Sequence, residues 1–182
     1  MSGSEQINEN GQEPLVDFAL RVYAEPKVEE LCLYLQNDYN ANVNILLWCC
    51  WLEAREIQLS TRWLDDVLIS IDTLSQLTVG RLQEVRRAIK TSLGFTKVQA
   101  KLINKHVLNA ELMAEKIFLQ RLQDMTSRFD EFQKLSNETP EEMLSAEYYL
   151  SFLQIPRAKE RSEALMAYAY SCLLYTSDAA DD

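Results

Sequence analysis

The sequence predicts an all-α fold, an irregular single-domain helical bundle. The chain of 182 residues contains only four glycines and four prolines, whereas a sheet protein needs many turns built from such residues. The stretches between them are rich in leucine, glutamate, glutamine, lysine, arginine and alanine, which lose little side-chain freedom in a helix. Apolar residues make up 47% of the chain, enough for one buried core at this length.

The first three helices follow from two prolines and a polar break. Pro14 and Pro26 each begin a predicted helix, because proline suits a first helical turn. The polar stretch at residues 37–42 ends the second helix, and Asn42 caps a third over about residues 42–56. The apolar face of the first helix consists of Leu15, Phe18, Ala19 and Val22.

The third helix carries the longest apolar run of the chain, ILLWCCWL at residues 45–52. A bilayer span needs roughly 20 such residues, so this run is too short to cross a membrane. A helix that is apolar all round is surrounded by other helices. We therefore expect this central apolar helix to lie in the middle of the bundle, with Trp48, Cys49, Cys50 and Trp51 buried.

Two further helices are predicted before the middle of the chain. Ser60 or Thr61 caps the fourth, and the fifth runs from about Val79 to Leu93, where Gly94 ends it. The inward stripe of the fifth helix consists of Leu82, Val85, Ile89 and Leu93.

A long amphipathic helix is predicted over about residues 97–135, because its apolar residues alternate at spacings of about three and four as in a coiled coil. The stripe consists of Ile103, Val107, Ala110, Ala114 and Ile117, followed by Phe118, Leu122, Met125, Phe129 and Phe132. It shifts by one residue between Ile117 and Phe118, where we expect a bend or a change of packing partner. Thr139 caps a restart, and one or two shorter helices finish the chain.

These elements divide the chain into four segments. Residues 1–13 form a polar tail predicted to be disordered, residues 14–136 a helical bundle domain, and residues 137–171 a C-terminal helical extension. Residues 172–182 read CLLYTSDAADD and resemble the in-frame translation of a transposase-type sequencing adapter, so we expect this tail to be non-native. The first residues lack the basic start and apolar run of a secretory signal, which predicts a cytoplasmic protein.

Cysteine and histidine are the first candidates for chemistry. Cys32, Cys49 and Cys50 lack the two-residue spacing of zinc and redox motifs, and we interpret them as small core hydrophobes. The chain has one histidine, His106, which we interpret as a core or interface residue, with an acid–base role as the alternative. The helical face around it consists of Leu102, Ile103, Ala110 and Met113, with Lys97, Lys101 and Lys105 on the opposite side.

Enzyme motifs are not found in the sequence. Phosphate-binding loops need clustered glycines, whereas Gly80 and Gly94 are fourteen residues apart. Glu111 and Glu115 have the spacing of an ordinary solvated helical face, so we do not interpret them as an acid–base pair. The sequence therefore predicts a protein without catalytic residues, cofactor or metal.

The strongest anomaly in composition is a basic segment at residues 81–105. Seven of the eighteen lysines and arginines lie there with one acid, Glu84, a local charge of +6 in a chain of net charge -10. Such asymmetry marks contacts with RNA, DNA or an acidic protein surface. A solvated face is the alternative, because Arg86 and Lys90 flank the apolar stripe and can lay their stems over the core. The candidate partner contacts are Arg86, Arg87, Lys90, Lys97 and Lys101.

A family resemblance rests on four blocks in a fixed order. They read DFALRVYAEPKVEELCLYLQ at residues 17–36, VNILLWCCWL at 43–52, LQEVRRAIK at 82–90 and NAELMAEK at 109–116. Over about residues 15–122 the chain resembles a family of short proteobacterial proteins, domain of unknown function 2390. The resemblance implies a bacterial, cytoplasmic, all-helical protein, and it brings no reaction, cofactor or site residue.

Three functions stay open at this point. The first is a non-enzymatic protein-binding adaptor or regulator that uses the basic segment, and the second is association with nucleic acid or the ribosome through the same residues. Strong salt dependence would distinguish the second from the first. The third is an enzyme that uses His106 as acid or base, which full burial of the ring away from any pocket would exclude.

Overall fold

The structure, a computed structural model, describes the backbone of residues 13–91, 94–135 and 144–177 and the side chains of residues 13–91, 94–129 and 144–171. All regular elements in these ranges are helical, which confirms the predicted all-α class. They are α1 (Leu15–Tyr23), α2 (Pro26–Tyr39), α3 (Val43–Ala54), α4 (Thr61–Ser75), a π-helical segment (Gln76–Gly80), α5 (Arg81–Thr91), α6 (Lys97–Leu135), α7 (Ser145–Phe152) and α8 (Ala158–Ser177).

The helix ends use the predicted caps. Asn42 Oδ1 accepts a hydrogen bond from the Asn44 backbone N–H at 3.0 Å, and Ser60 Oγ accepts one from the Trp63 backbone N–H at 3.4 Å. Asn40 ends α2 in the left-handed conformation, with φ 56°, a position that glycine usually takes. Asparagine tolerates this conformation, so the chain turns here without a glycine.

Helix α3 is the centre of the bundle, as predicted. Its residues 45–52 are all buried, none more than 4% exposed, and α1, α2, α6, α7 and α8 all contact it. The Trp48 indole N–H donates to Thr126 Oγ1 on α6 at 2.9 Å, which satisfies the polar atom of this buried ring. Burial of Cys49 and Cys50 in the same helix confirms the interpretation of these cysteines as core residues.

The C-terminal helices pack into the same core. Leu150 of α7 and Leu165 of α8 are fully buried, in one apolar cluster with α3. The backbone N–H of Ser145, at the start of α7, donates to Glu53 Oε1 at 2.7 Å, where the negative carboxylate also interacts favourably with the helix dipole. The segment predicted as a C-terminal extension is therefore held to α3 by both apolar and polar contacts.

Several predictions fall outside the described residues. These are the predicted disorder of residues 1–12, the inward position of Leu93, the helix cap at Thr139 and the interpretation of residues 178–182 as part of a non-native tail. The backbone of residues 172–177, part of the tail that resembles an adapter, continues α8. The interpretation of that tail stays a prediction.

Helices α4 and α5 follow each other without a break, whereas the sequence predicted a separate fifth helix from Val79. The π segment joins them, and its wider turn rotates the face of α5 relative to that of α4. Val79 and Ile89 are buried, while Val85 is 47% exposed. The inward position predicted for Val85 is wrong, because the inward face of α5 consists of Leu82, Arg86 and Ile89, and Arg86 pairs there with Glu111 of α6.

Helix α6 spans 39 residues and confirms the long helix predicted over residues 97–135. Its N-terminal half lies against the π segment and α5, and its C-terminal half contacts α1, α3 and α4. In that second half the Gln123 side chain accepts a hydrogen bond from the Leu15 backbone N–H at 2.7 Å, and the Phe129 ring lies 5.4 Å from the Trp63 ring. The predicted change of packing partner is therefore found within one uninterrupted helix.

Candidate functional site: a basic helix pair and the pocket beside it

Four of the five predicted partner contacts are exposed on the pair formed by α5 and the N-terminal half of α6. Arg87 and Lys90 are exposed on α5, and Lys97 and Lys101 on α6. Lys105 is also exposed and continues the four-residue spacing of the lysines along one side of α6. The basic segment thus forms a cationic, solvent-facing surface on two adjacent helices.

Arg86, the fifth predicted contact, is engaged within the fold instead. Its guanidinium donates to Glu111 Oε1 of α6 at 3.0 Å, and the two side chains are 32% and 5% exposed. The interpretation of Glu111 as part of a solvated face is therefore wrong. Its position at helical spacing between the partly buried Val107 and Ala114 directs it toward α5, and Arg86 supplies the charge that makes its burial tolerable.

The outward side of the same half of α6 is apolar. Val98, Leu102, Met113 and Ile117 are 79%, 59%, 60% and 52% exposed, respectively. With the exposed His106 between them, these residues form what we call the apolar stripe. The inward position predicted for Ile117 is wrong, because its side chain is exposed. The core position considered for His106 is also wrong, because this residue is exposed. A row of exposed apolar side chains on one helix face is a candidate interaction site.

A pocket of about 840 Å³ opens beside the α5–α6 pair. Residues from each of the helices α1 to α6 and from the π segment line it. The charged lining residues are Asp72, Arg86, Glu111, Glu115 and Lys116, and the apolar ones include Val16, Leu20, Leu47, Val79 and Leu119. Pockets of this size that combine apolar walls with a few converging polar groups are typical ligand sites.

The carboxylates of the pocket are perturbed by burial. Burial raises the pKa of Glu115, and the charge of Glu111 raises it further while Arg86 opposes both. Burial also raises the pKa of Asp72, against a hydrogen bond of 2.8 Å that its carboxylate accepts from Gln76. Both groups would therefore be stabilised in their charged form by a cation beside them.

The Arg86–Glu111 pair is incompletely satisfied. Glu111 Oε2 and Arg86 Nε are both buried, and neither has a hydrogen-bond partner among the described residues. Buried polar atoms are nearly always paired in native proteins, so this acceptor and this donor are unusual. Both residues line the pocket.

The pocket was not predicted from the sequence. Two signals pointed to it: a glycine, Gly80, inside a helical pattern, and a glutamate, Glu111, at an inward helical position. An added Cβ on Gly80 would meet one neighbouring atom, the Ser75 carbonyl oxygen at 3.8 Å. The π segment that contains Gly80 is itself a feature frequent at functional sites.

The buried thiols show the chemistry of core residues. Burial raises the pKa of Cys32 to about 12, and it raises the pKa of Cys49 and Cys50 as well.

Within the described ranges no group of three or more histidine, cysteine, aspartate or glutamate side chains is placed to hold a metal ion. None of the helices in those ranges combines the length and the apolarity needed to cross a membrane.

Comparison with known protein families identifies a family that the chain matches. The model of a family described as Protein of unknown function (DUF2390) matches residues 14–122. No curated protein and no solved structure matches the chain. The matched span begins at the start of α1 and ends within the second half of α6, so it contains the pocket, the basic surface and the apolar stripe.

Proposed function

We propose that this chain, which belongs to the family described as Protein of unknown function (DUF2390), is a non-enzymatic protein-binding adaptor or regulator. Its partner surface in this proposal is the α5–α6 pair. The observation that carries the proposal is the apolar stripe, whose four aliphatic side chains are all more than half exposed. Each Å² of apolar surface that a partner covers contributes about 25 cal/mol of favourable free energy.

Charge around the stripe specifies the chemistry of the partner. Arg87, Lys90, Lys97, Lys101 and Lys105 are exposed on the same helix pair. A second copy of the chain bound through this surface would bring cations against cations, which is unfavourable. The partner that fits is an acidic amphipathic helix of another protein, with its apolar face on the stripe and its carboxylates beside the lysines.

The position of His106 supports the non-enzymatic part of the proposal. The residue is exposed in the middle of the stripe and is not among the residues that line the pocket. An acid–base residue needs a substrate held within hydrogen-bond reach, which a convex helix face does not provide. On this surface the imidazole acts as a contact residue.

The buried cysteines support a cytoplasmic location. Cys32, Cys49 and Cys50 are free thiols with complete burial, and free cysteines are typical of the reducing cytosol.

The proposal is tested by site-specific photo-crosslinking in the native host. A crosslinking amino acid replaces Leu102 on the stripe in one variant and the equally exposed Ile69 of α4 in the matched control. We expect a discrete adduct with one partner protein at position 102, lost when Met113→Glu is added, and no such adduct at position 69. The crosslinked peptide of the partner should be acidic and amphipathic.

Three outcomes would contradict the proposal. They are adducts of equal yield at positions 69 and 102, an adduct with a second copy of the chain, and an adduct that persists with Met113→Glu.

The exposure of Arg87, Lys90, Lys97 and Lys101 favours nucleic acid as the alternative partner. In that case binding should weaken by about tenfold or more between low and moderate salt. It should also be lost when these four residues are reversed to glutamate, and it should survive Met113→Glu. The pair of variants therefore separates the two functions.

A further inference from the structure

We propose that the pocket beside the α5–α6 pair binds a small organic ammonium ion that carries a neighbouring hydroxyl or carbonyl oxygen and an apolar body. None of its lining residues belongs to the apolar stripe or to the five exposed basic residues of the partner surface, and the site stands or falls independently of the proposed function. Three features of the described residues support it: charge, hydrogen-bonding atoms without a partner, and apolar walls.

The charge of the pocket favours a cation. Asp72, Glu111 and Glu115 line it together with Arg86 and Lys116. Arg86 is committed to Glu111, while Lys116 is exposed and its charge is screened by water. Asp72 accepts its hydrogen bond from the neutral Gln76, and Glu115 shares the charge of Arg86 with Glu111. An ammonium group would therefore add a counter-charge to a lining of three carboxylates and two basic side chains.

The unsatisfied atoms specify where the ligand's polar groups sit. Glu111 is 4% exposed, its Oε1 accepts from Arg86, and its Oε2 has no partner within the described residues. A protonated amine would donate to this oxygen in a charge-assisted hydrogen bond. Arg86 Nε, also buried without a described partner, is a donor, so an oxygen next to the amine would accept from it.

The apolar side chains that line the pocket indicate that the remaining part of the ligand is apolar. Val16, Leu20, Leu47, Val79 and Leu119 line it from four different elements. A fully polar ligand would leave these side chains without apolar contact, whereas an aliphatic or aromatic body would cover them. The volume of about 840 Å³ lies in the range of sites for drug-sized molecules.

Gly80 is a position at which a larger side chain can be introduced to test the pocket. The residue lines the pocket, and an added Cβ meets only the Ser75 carbonyl oxygen, at the ordinary distance of 3.8 Å. The Cβ of Gly80→Phe therefore needs no shift of the backbone, and the variant adds a ring at a position that lines the pocket. Glu111→Gln keeps the shape of the buried side chain while removing its charge.

The experiment is titration of the full chain with 2-amino-1-phenylethanol, followed by NMR and by thermal unfolding. Two probes of similar size serve as controls, the neutral 2-phenylethanol and the anionic 3-phenylpropionate. We expect the amino alcohol to bind with a Kd in the millimolar range or tighter and to raise the Tm, and to perturb signals of α1, the π segment and α6. Binding should weaken by about tenfold or more in Glu111→Gln, as expected for loss of a charge-assisted hydrogen bond, and it should be absent in Gly80→Phe.

The outcomes that would overturn the proposal are specific. They are no binding of the amino alcohol to the wild-type chain, stronger binding of the anionic probe, and unchanged binding in Gly80→Phe. If Glu111→Gln does not fold, Glu115→Gln takes its place, because Glu115 lines the same pocket and lacks the ion pair that Glu111 makes. Equal affinity of the amino alcohol and 2-phenylethanol would show that the carboxylates do not recognise the amine.

Discussion

Arg86 and Glu111 form an ion pair of 3.0 Å across 25 residues of sequence, with the carboxylate almost completely buried. The pair joins α5 to the N-terminal half of α6, and both of its residues line the pocket. Its geometry explains why one member of a basic segment serves the fold while its neighbours face solvent.

Removing one partner of this pair should destabilise the protein. In Arg86→Ala the buried Glu111 carboxylate loses its counter-charge, and we expect the free energy of unfolding to fall by about 2 kcal/mol. This is less than for a fully buried pair, because the arginine is partly exposed. Urea unfolding followed by circular dichroism measures the change.

Two companion variants give the controls for this prediction. Arg87→Ala, on the exposed side of the same helix, should change the stability by no more than about 0.5 kcal/mol. The double variant Arg86→Leu with Glu111→Leu should recover most of the loss, because no unpaired charge stays buried. A double variant less stable than Arg86→Ala would contradict this account.

The raised pKa of Glu115 predicts a pH dependence of stability. Because its pKa is raised in the folded state by burial and by Glu111, its contribution is fully present below the ordinary carboxyl pKa of about 4.3. That contribution is lost as pH rises through the raised value. Glu115→Gln removes this loss, so the stability of the variant relative to the wild type should increase as pH rises through that window.

Urea unfolding of both proteins at a series of pH values measures this difference. Asp72 and Glu53, whose pKa values are also raised, are present in both proteins and cancel in the comparison. A difference that is constant with pH, or that changes in favour of the wild type, would contradict the prediction.

The sequence predicted the elements whose local signals are strong. The run at residues 45–52 is apolar on every side, so only a central position buries all of its side chains. Asn42 and Ser60 are helix caps, and their side chains accept hydrogen bonds from backbone N–H groups of their own helices. In these cases the free energy that decides the structure comes from neighbours in sequence or from burial alone. Such terms can be evaluated without knowing the fold.

The orientation of α6 could not be predicted in the same way. Its N-terminal half has apolar residues on two sides, one containing Val107 and Ala114 and the other Leu102 and Met113. Periodicity does not decide between them, because the choice depends on Arg86, which pairs with Glu111 from another helix. The π segment adds a second obstacle, since a change of helical period inside a helix leaves little trace in the sequence beyond Gly80.

Thr126 should be required for the stability of the core through its hydroxyl. Its Oγ1 accepts the hydrogen bond of the buried Trp48 indole and donates to the Leu122 carbonyl oxygen at 2.9 Å. Thr126→Val keeps the shape but leaves the indole N–H unpaired, and we expect a loss of about 1–3 kcal/mol. Thr126→Ser, which keeps the hydroxyl, should lose less, and the reverse order in thermal unfolding would contradict this role of the hydrogen bond.

The three core cysteines should be unreactive in the native protein. Cys32, Cys49 and Cys50 are fully buried, and burial raises the pKa of each thiol, so both access and the thiolate fraction are low. In a Cys172→Ser background, iodoacetamide at neutral pH should add no label to the native chain and three labels in denaturant, as counted by mass spectrometry.

Ser171→Cys in the same background provides the matched control, because Ser171 is exposed. This introduced thiol should react readily in the native chain. Slow labelling of the core thiols should follow the population of unfolded molecules, so that urea below the unfolding midpoint accelerates it in proportion to that population. Rapid labelling of Cys49 or Cys50 without denaturant would show that α3 is not the closed centre of the bundle.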